Sequence, residues 1–376
     1  MPKRIVIVGG GIGGVTLASK LSKSCDVTLI DRHNYVELTW ATVRGIVNAD
    51  FAKRISFAYN AIPNLGKFVQ GNVSNITSSA VILDDGSQYS YDFLVISVGA
   101  SYPDPAFRSL APGRKERLEE LKALGERIKA AKRILIVGGG PTGVEAAGEI
   151  LDAYAGKELT LVHSGSQLID GKAPKLANYA NQWMKSHGAT IVLNSKVQKK
   201  DEGTSPDGPI TVSLVPSEGG EQGGSDSKLL TADLALWCVG NRANTGFLKS
   251  SILSDAIDPN TGLLRVLPTL QIQGHINAFA VGDCCDACEV KLAFLAGMQA
   301  ETAARNLIAL TAGKNASNQW KPGMMKDMMM VTLGSGDGFG HMGGCLLTGR
   351  LPSMMKSRTL FVDKYRSQFG VPANYE

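Results

Sequence analysis

The sequence lacks the features of membrane-spanning and disulfide-rich proteins. It contains no apolar stretch of about 18 residues, the length that a membrane-spanning helix requires. The N-terminal residues 1–4 pass directly into the apolar residues 5–8, without the pattern of a secretory signal. Six cysteines in 376 residues are too few for a disulfide scaffold. We therefore expect a reduced, intracellular protein of the cytoplasm.

A large excess of one charge is also missing. The chain has 39 Lys and Arg against 34 Asp and Glu, a net charge of +5, and it contains no run of about five basic residues. This balance argues against a nucleic-acid partner. The composition, 44% hydrophobic and 19% charged, indicates a folded globular chain, and its length predicts two or three domains.

Glycine, by contrast, is abundant. The chain contains 43 glycines among 376 residues, more than the usual share of about 7%. They follow no G-X-Y period, which excludes a collagen helix. Glycines that gather in loops let the backbone approach a ligand closely, so their positions decide what they mean.

The first 31 residues predict a strand, a glycine-rich turn, a helix and a second strand. Residues 4–8 are a mainly β-branched run, typical of a strand buried on both faces. The glycine-rich residues 9–14 follow, then a helix through Leu21 and a strand at residues 27–31. The same order returns as a strand at residues 133–137, a glycine-rich turn, a helix and a strand at residues 159–163. The repeat indicates an internal duplication of a βαβ unit.

Both glycine-rich turns fit the G-x-G-x-x-G pattern of dinucleotide-binding loops. The first glycine permits the tight turn, the second lets the backbone reach a pyrophosphate, and the third allows close packing of helix and strand. The helix that follows offers N–H groups to the phosphates. The matching glycines are Gly9, Gly11, Gly14, Gly138, Gly140 and Gly143.

The two units differ where their second strands end. Asp31 ends the first, where a carboxylate accepts hydrogen bonds from the ribose of FAD or NAD. The second unit has His163 and Ser164 there, so a 2′-phosphate would not be repelled and NADPH would be tolerated beside NADH. The alternative is that His163 is a partly buried polar residue without a ligand.

Two dinucleotide loops in one chain resemble the two-dinucleotide-binding flavoproteins. Residues 91–99 resemble the family's strand and glycine turn, although Val98 stands where the family has threonine, and residues 277–283 resemble its second FAD motif. Further segments resemble the ferroptosis suppressor family, the apoptosis-inducing-factor-like mitochondrion-associated flavoproteins, in a plant or algal form. These segments are residues 41–44, 51–54, 321–323, 331–338 and 356–362.

The resemblance implies an α/β fold with two Rossmann-like domains, the NAD(P) domain being inserted in the FAD domain, and a small C-terminal α+β region. The expected parts are residues 1–112 (FAD domain, first part), 113–238 (NAD(P)H domain), 239–312 (FAD domain, second part) and 313–376 (quinone- and membrane-facing region). Apolar residues at helical spacing in 114–132 predict a joining helix, and the polar, glycine-rich residues 201–228 predict a solvated hairpin extension.

The resemblance also implies the residues that bind FAD. Arg44 would lie against the flavin nucleotide, Val73 would meet the adenine, and Asp283 would hold the ribitol, whose hydroxyls need acceptors. The pyrophosphate would lie on Gly9, Gly10, Gly11, Ile12, Gly13 and Gly14. The nicotinamide nucleotide would lie on Gly138, Gly140, Gly143 and His163.

Two residues match catalytic positions of the family. Glu145 matches a glutamate near the nicotinamide and the flavin, and Lys291 matches an active-site lysine that would stabilise the negative charge of the reduced ring. The alternative for Glu145 is an ordinary acid in the first turn of a helix, which the helix dipole favours.

The distribution of cysteine narrows the chemistry. Residues 26–237 contain no cysteine, which argues against the dithiol relay of a disulfide reductase. Cys284, Cys285 and Cys288 form a cluster, but no histidine lies between His275 and His341 to complete a zinc site, so we expect no metal. The remaining chemistry is hydride transfer from NAD(P)H to FAD and then to a diffusible acceptor.

The C-terminal region indicates which acceptor. Eight of the 11 methionines lie between Met324 and Met355, and residues 314–376 carry eight basic against four acidic residues. A soft, basic surface suits a lipophilic substrate and attachment to membranes or lipid droplets. The resemblance to a family of quinone reductases implies that this substrate is a ubiquinone-like or vitamin K-like quinone, reduced to a radical-trapping quinol. Three alternatives remain: methionines that only fill the core, a monodehydroascorbate- or ferredoxin-reductase-like enzyme, and a signalling flavoprotein that resembles apoptosis-inducing factor.

Overall fold

The structure is a computed structural model that describes residues 1–199, 208–217, 228–323 and 327–375. No helix in these ranges is both long and apolar enough to cross a membrane. The N-terminal part contains β1 (Arg4–Val8), α1 (Ile12–Leu21), β2 (Asp26–Asp31), β3 (Tyr35–Glu37), α2 (Thr42–Gly45), α3 (Ala49–Ile55), β4 (Ser56–Ala58), β5 (Lys67–Gln70), β6 (Val73–Ile76), β7 (Ala80–Leu83), β8 (Gln88–Ser90), β9 (Phe93–Ile96) and β10 (Ala100–Ser101).

Two further groups of elements follow. The middle of the chain forms α4 (Arg114–Ala130), β11 (Arg133–Val137), α5 (Pro141–Ala153), β12 (Glu158–Val162), α6 (Pro174–Ser186), β13 (Thr190–Val192), β14 (Ser195–Lys199), β15 (Ile210–Pro216), β16 (Lys228–Ala232) and β17 (Leu234–Trp237). The remainder forms β18 (Arg242–Ala243), β19 (Gln271–Ile272), β20 (His275–Ala280), α7 (Ala293–Thr311), β21 (Met329–Leu333), β22 (Asp337–Met342), β23 (Cys345–Thr348), α8 (Arg350–Pro352) and α9 (Val362–Gln368). Short 3₁₀ turns lie at Thr39–Ala41, Tyr59–Ala61, Gly246–Ser250, Ser254–Ala256 and Gly282–Cys284, and a π-helical turn lies at Ser353–Ser357.

The largest sheet has six strands in the order β19-β20-β9-β1-β2-β5. Strand β1 runs parallel to β2 and β9, and β20 runs parallel to β9. The sheet therefore contains strands that precede the middle elements in the sequence and strands that follow them, so the middle elements are an insertion. This topology confirms the predicted insertion of one dinucleotide-binding unit into the other, while the exact boundaries stay predictions.

The inserted unit is built on a parallel sheet in the order β13-β12-β11-β17. Beside it, β14, β15 and β16 form an antiparallel sheet. Residues 201–207 and 218–227 of the predicted hairpin extension lie outside the described residues, so the extension stays a prediction; within it, β15 pairs antiparallel with both β14 and β16. Strands β1 and β11 have the predicted bounds because their last four residues are buried in continuous apolar runs.

The joining helix α4 is held by a buried ion pair. Arg117 is 1% exposed, and its Nε and Nη2 each donate to Glu37 at 2.9 Å. Burial alone would raise the pKa of Glu37, but the charge and hydrogen bonds of Arg117 outweigh it and hold the pKa below its ordinary value. The predicted helix is thus confirmed, and it is fixed to the N-terminal part.

The C-terminal region is an α+β unit that packs directly on helix α5. Strands β21, β22 and β23 form an antiparallel sheet, and a Cβ added to Gly148 of α5 would lie 2.9 Å from Leu333 Cα. Met329 and Phe339 of this sheet belong to the main hydrophobic core. The methionines of this region therefore differ in burial: Met329 lies in the core, whereas Met354 is 69% exposed.

Candidate functional site

The carboxyl ends of four parallel strands bring the expected FAD residues to one edge of the six-stranded sheet. The first glycine loop follows β1, Asp31 ends β2, residues 97–99 follow β9, and the Gly282–Cys284 turn follows β20. Ser97 Oγ donates to Gly9 O at 2.6 Å and joins two of these segments. In open α/β sheets a dinucleotide binds at this edge.

The first glycine loop has the shape that a pyrophosphate requires. Gly9 has a φ of +101°, and a Cβ on Gly14 would lie 1.9 Å from Gly9 O, so neither position accepts a side chain. A Cβ on Gly11 would meet no atom within 4 Å in the described part of the chain. Helix α1 begins just after Gly11, and no described side chain caps it. Its first N–H groups are therefore available to phosphate oxygens.

Asp31 is bound into this loop. Its Oδ2 accepts from the Gly10 N–H at 2.6 Å, and its Oδ1 accepts from the His33 N–H at 2.8 Å. Burial alone would raise the pKa of Asp31, but the interactions with His33 and Gly10 outweigh it and hold the pKa below its ordinary value. Asp31 is thus an ionised acceptor for ribose hydroxyls. Tyr59, which sequence reasoning missed, donates to Gly10 O at 3.0 Å.

Asp283 and Lys291 lie on the neighbouring turn. The Gly282 N–H donates to Gln299 Oε1 at 2.7 Å, which fixes the turn that carries Asp283. The Asp283 carboxylate lies 3.9 Å from an Arg108 nitrogen and stays partly exposed, as an acceptor for ribitol must be. Lys291 Nζ donates to Cys285 O at 2.5 Å, which places its charge beside the same turn. Arg108 is a second residue that sequence reasoning missed.

Val73, the residue expected to meet the adenine, lies near the first glycine loop. Val73 starts β6, two residues after Gly71, whose N–H donates to Asp31 O at 2.9 Å. Val73 therefore lies on the Asp31 side of the loop, where an adenine would be, although its contact with adenine stays a prediction.

Arg44 joins three parts of the molecule. Its Nε and Nη2 donate to Glu149 of α5 at 2.9 and 2.7 Å, and its Nη1 donates to Arg358 O at 3.1 Å. Burial raises the pKa of Glu149, although the Arg44 charge opposes the shift. The guanidinium is thus engaged between the N-terminal part, α5 and the C-terminal region, and its contact with the flavin nucleotide stays a prediction.

The second glycine loop repeats the geometry of the first. Gly138 has a φ of +111°, and a Cβ on Gly143 would lie 1.9 Å from Gly138 O. A Cβ on Gly140 would meet no atom of the described residues within 4 Å. The Gly139 N–H donates to His163 Nδ1 at 3.1 Å, as the Gly10 N–H does to Asp31. His163 therefore belongs to the loop rather than to the core alone, while its contact with a nucleotide stays a prediction.

The two residues assigned to catalysis are not paired with each other. Glu145, one turn into α5, is buried, and its Oε1 accepts from Lys356 Nζ at 2.6 Å and from the Thr332 N–H at 3.1 Å. Lys356 Nζ also donates to Met330 O at 2.8 Å. Sequence reasoning quoted residues 356–362 as a family motif but assigned Lys356 no role. The buried ion pair between Glu145 and Lys356 joins helix α5, which follows the second glycine loop, to the C-terminal region.

The cysteine cluster is built for packing. Cys284 and Cys285 are fully buried, and burial raises the pKa of the Cys284 thiol to about 11 and that of the Cys285 thiol further. Such thiols stay protonated and are poor nucleophiles. Within the described ranges, no group of three His, Cys, Asp or Glu side chains is placed to hold a metal ion.

These features fit FAD on the first loop and a nicotinamide dinucleotide on the second. In each loop a Cβ at the first or third glycine would collide with neighbouring protein atoms, whereas a Cβ at the second glycine would meet no described atom within 4 Å, which leaves space for a pyrophosphate there. Asp31 and Asp283 add the acceptors that ribose and ribitol hydroxyls need.

Comparison with known proteins agrees with this geometry. The family described as pyridine nucleotide-disulphide oxidoreductase matches residues 1–306. The chain is 33% identical to apoptosis-inducing factor homolog B of Dictyostelium discoideum, over 98% of this chain and 97% of that protein. It is 33% identical to ferroptosis suppressor protein 1 of Xenopus tropicalis, over 98% of this chain and 96% of that protein.

Solved structures of low sequence identity share the fold. NDH2 of Plasmodium falciparum in complex with NADH superposes with a TM-score of 0.72 at 15% identity, over 99% of both chains. The sulfide:quinone oxidoreductase of Aquifex aeolicus superposes with a TM-score of 0.76 at 16% identity, over 98% of this chain and 91% of that one.

Proposed function

The chain belongs to the pyridine nucleotide-disulphide oxidoreductase family, as a relative of ferroptosis suppressor protein 1, and from this premise we propose that it is an FAD-dependent NAD(P)H:quinone oxidoreductase. The acceptor is a lipophilic quinone of the ubiquinone or vitamin K type, and the product is a radical-trapping quinol. The names of the relatives and the fold shared with a sulfide:quinone oxidoreductase support this choice.

One observation carries the proposal: helix α5 connects the second glycine loop to the methionine-rich C-terminal region. The helix begins at Pro141, directly after the second glycine loop, and its Glu145 is paired with Lys356. Both side chains are nearly buried, with 7% of Glu145 and 12% of Lys356 exposed. The donor's loop and the region proposed for a lipophilic acceptor therefore share one ionisable pair.

The overall reaction needs a proton that a hydride does not supply. A quinone takes up two electrons and two protons to become a quinol, and NADH delivers two electrons with one proton. Bound FAD supplies the two-electron redox chemistry that links donor and acceptor. Lys356 Nζ donates to Glu145 Oε1 at 2.6 Å and to Met330 O at 2.8 Å, and we assign to it the transfer of this proton to the acceptor oxygen, with a proton from solvent replacing it afterwards.

The remaining residues bind and orient. The two glycine loops hold the pyrophosphates, Asp31 and Asp283 accept from sugar hydroxyls, and Lys291 places a positive charge beside the Asp283 turn. Arg44 and Glu149 hold the C-terminal region against α5, which keeps Lys356 at Glu145.

An acceptor panel tests the proposed function. We expect FAD-loaded protein to oxidise NADH at least roughly tenfold faster with short-chain ubiquinone and naphthoquinone analogues than with monodehydroascorbate or ferredoxin, because Met-rich surfaces favour apolar ligands. The measurement is the initial rate of NADH oxidation at equal acceptor concentration. A preference for a water-soluble acceptor would favour the alternative reductases of the same fold, and protein that binds no flavin would exclude the enzyme altogether.

We further propose that the protein is cytoplasmic and attaches peripherally to membranes or lipid droplets. Four exposed apolar residues of the C-terminal region form what we term the apolar tail surface: Leu346, Leu351, Met354 and Met355. The neighbouring Arg350 is also exposed. Apolar side chains beside basic ones suit an anionic lipid surface, where a lipophilic quinone is found.

Replacing two residues of the apolar tail surface tests the attachment. We expect the full-length Leu351→Gln/Met354→Gln variant to bind anionic phosphatidylcholine–phosphatidylserine vesicles roughly tenfold more weakly in co-sedimentation, because each buried apolar side chain contributes about 1.5–3 kcal/mol. Leu110→Gln/Ile276→Gln is the matched control, since Leu110 is 72% and Ile276 73% exposed outside this region. Equal binding by both variants would show that the apolar tail surface does not contribute to membrane attachment.

A further inference from the structure

The second dinucleotide unit has an imidazole where the first has a carboxylate. In the first unit the Gly10 N–H donates to Asp31 Oδ2 at 2.6 Å. In the second, the Gly139 N–H donates to His163 Nδ1 at 3.1 Å. The position that binds an adenosine ribose in a dinucleotide fold is therefore occupied by the edge of the His163 ring.

The hydrogen bonds of His163 define which ring nitrogen accepts and which donates. Because Nδ1 accepts the Gly139 N–H, the ring proton resides on Nε2. Nε2 lies 2.8 Å from Asp170 Oδ2 and donates to it. His163 is 12% exposed, whereas Asp170 is 54% exposed. A carboxylate from seven residues further along the chain thus reaches the end of strand β12 and faces solvent there.

The residue before Asp170 has an unusual backbone conformation. This residue, Ile169, has a φ of +55°, a left-handed conformation that β-branched residues rarely adopt, and its side chain is buried in the main hydrophobic core. The Ile169 N–H donates to Gly139 O at 2.9 Å, so Gly139 is bound on both sides by this segment. The buried Ile169 side chain and this hydrogen bond together fix the backbone that places Asp170 beside the glycine loop.

The other side of Asp170 is equally constrained. A Cβ on Gly165 would lie 2.2 Å from one oxygen of the Asp170 carboxylate and 2.5 Å from the other. The absence of a side chain at Gly165 therefore lets the carboxylate fold back beside the end of β12. The segment from His163 to Asp170 is shaped around the carboxylate as well as around the glycine loop.

We propose that Asp170 replaces the carboxylate that strand β12 lacks and selects NADH over NADPH. The inference rests on the proposed function, which assigns the second glycine loop to the nicotinamide nucleotide. A carboxylate accepts a hydrogen bond from a ribose 2′-hydroxyl and repels a 2′-phosphate. His163 is a positioning residue that holds both Gly139 and Asp170. The sequence alone predicted tolerance of NADPH, because it shows no carboxylate at residues 163 and 164.

The Asp170→Asn variant tests the proposal. For the wild type we expect kcat/KM with NADH to exceed that with NADPH by at least roughly tenfold, since charge repulsion disfavours the second nucleotide. The variant is expected to reduce this ratio at least roughly fivefold, mainly through a lower KM for NADPH, and Asp170→Arg is expected to reverse it. Asp50→Asn is the matched control, because Asp50 is an exposed, ion-paired acid on α3, outside the inserted unit.

A binding measurement separates this proposal from the proposed function. Calorimetric titration of the FAD-loaded protein with NAD⁺ and NADP⁺ needs no quinone. Tighter binding of NAD⁺ than of NADP⁺ by the wild type, with a ratio that falls in Asp170→Asn mainly because NADP⁺ binds more tightly, and with bound flavin and the unfolding temperature unchanged, supports the proposal. Equal binding of both nucleotides by the wild type, or a ratio that Asp170→Asn leaves unchanged, overturns this proposal alone. Binding of neither nucleotide overturns the proposed function and this proposal with it.

Discussion

Replacing Glu145 by Gln is expected to lower the quinone-dependent kcat by about 10²-fold or more, the usual contribution of a positioned acid or base. Glu145 Oε1 lies 2.6 Å from Lys356 Nζ in a nearly buried site. Without the carboxylate, Lys356 loses the ion-pair partner that holds its Nζ in place, and the acceptor loses a positioned proton donor. The measurement is the steady-state rate of NADH oxidation at saturating quinone.

The partner variant distinguishes proton supply from a purely structural role. Lys356→Met is expected to lose as much activity as Glu145→Gln, and the double variant little more, because the two residues act as a unit. Reduction of the flavin by NADH, measured without quinone, should change far less than reoxidation by quinone. Glu158→Gln is the control, since Glu158 forms an exposed ion pair with Lys132 in the same inserted unit. Losses that add in the double variant, or full activity in either single variant, would contradict the assignment.

Valine at the second glycine of either loop is expected to weaken the binding of one nucleotide and leave the binding of the other unchanged. Gly11→Val should weaken FAD binding roughly a hundredfold, comparable to losing one or two charge-assisted hydrogen bonds, because its methyl groups enter the pyrophosphate space. Gly140→Val should raise the KM for NADH by a similar factor and leave FAD bound. FAD content after purification and the dependence of the rate on NADH measure the two effects.

The folded state itself should tolerate both changes. A Cβ at Gly11 or Gly140 meets no described atom within 4 Å, and both residues have extended backbones that other residues adopt. Gly14→Ala is the contrasting variant, because its Cβ would lie 1.9 Å from Gly9 O and must distort the loop whether or not FAD is present. If Gly11→Val retained FAD, or if Gly140→Val lost it, the assignment of the two loops would be wrong.

Much of the fold follows from local sequence patterns. Strands β1 and β11 end in continuous apolar runs, and the first and third glycines of the loops after them occupy positions where only glycine fits, so both dinucleotide units could be predicted from the sequence. The strand-end position of Asp31 likewise predicts its place beside Gly10. These features depend on residues that are close together in the chain or that repeat a known spacing.

The contacts that complete the site could not be predicted in this way. Lys356 is 211 residues from Glu145, and Arg44 is 105 residues from Glu149, so no local spacing reveals either pair. Asp170 lies only seven residues from His163, but it reaches the ring through a left-handed isoleucine that no periodicity predicts. These contacts depend on tertiary packing, and only the structure reveals them.

Anaerobic mixing of the FAD-loaded protein with NADH and then with a short-chain quinone tests the central claim most directly. We expect NADH to remove the visible absorbance of the oxidised flavin and the quinone to restore it, with one quinol formed for each NADH consumed. If NADH left the absorbance unchanged, or if every quinone left the flavin reduced, the protein would not be an NAD(P)H:quinone oxidoreductase.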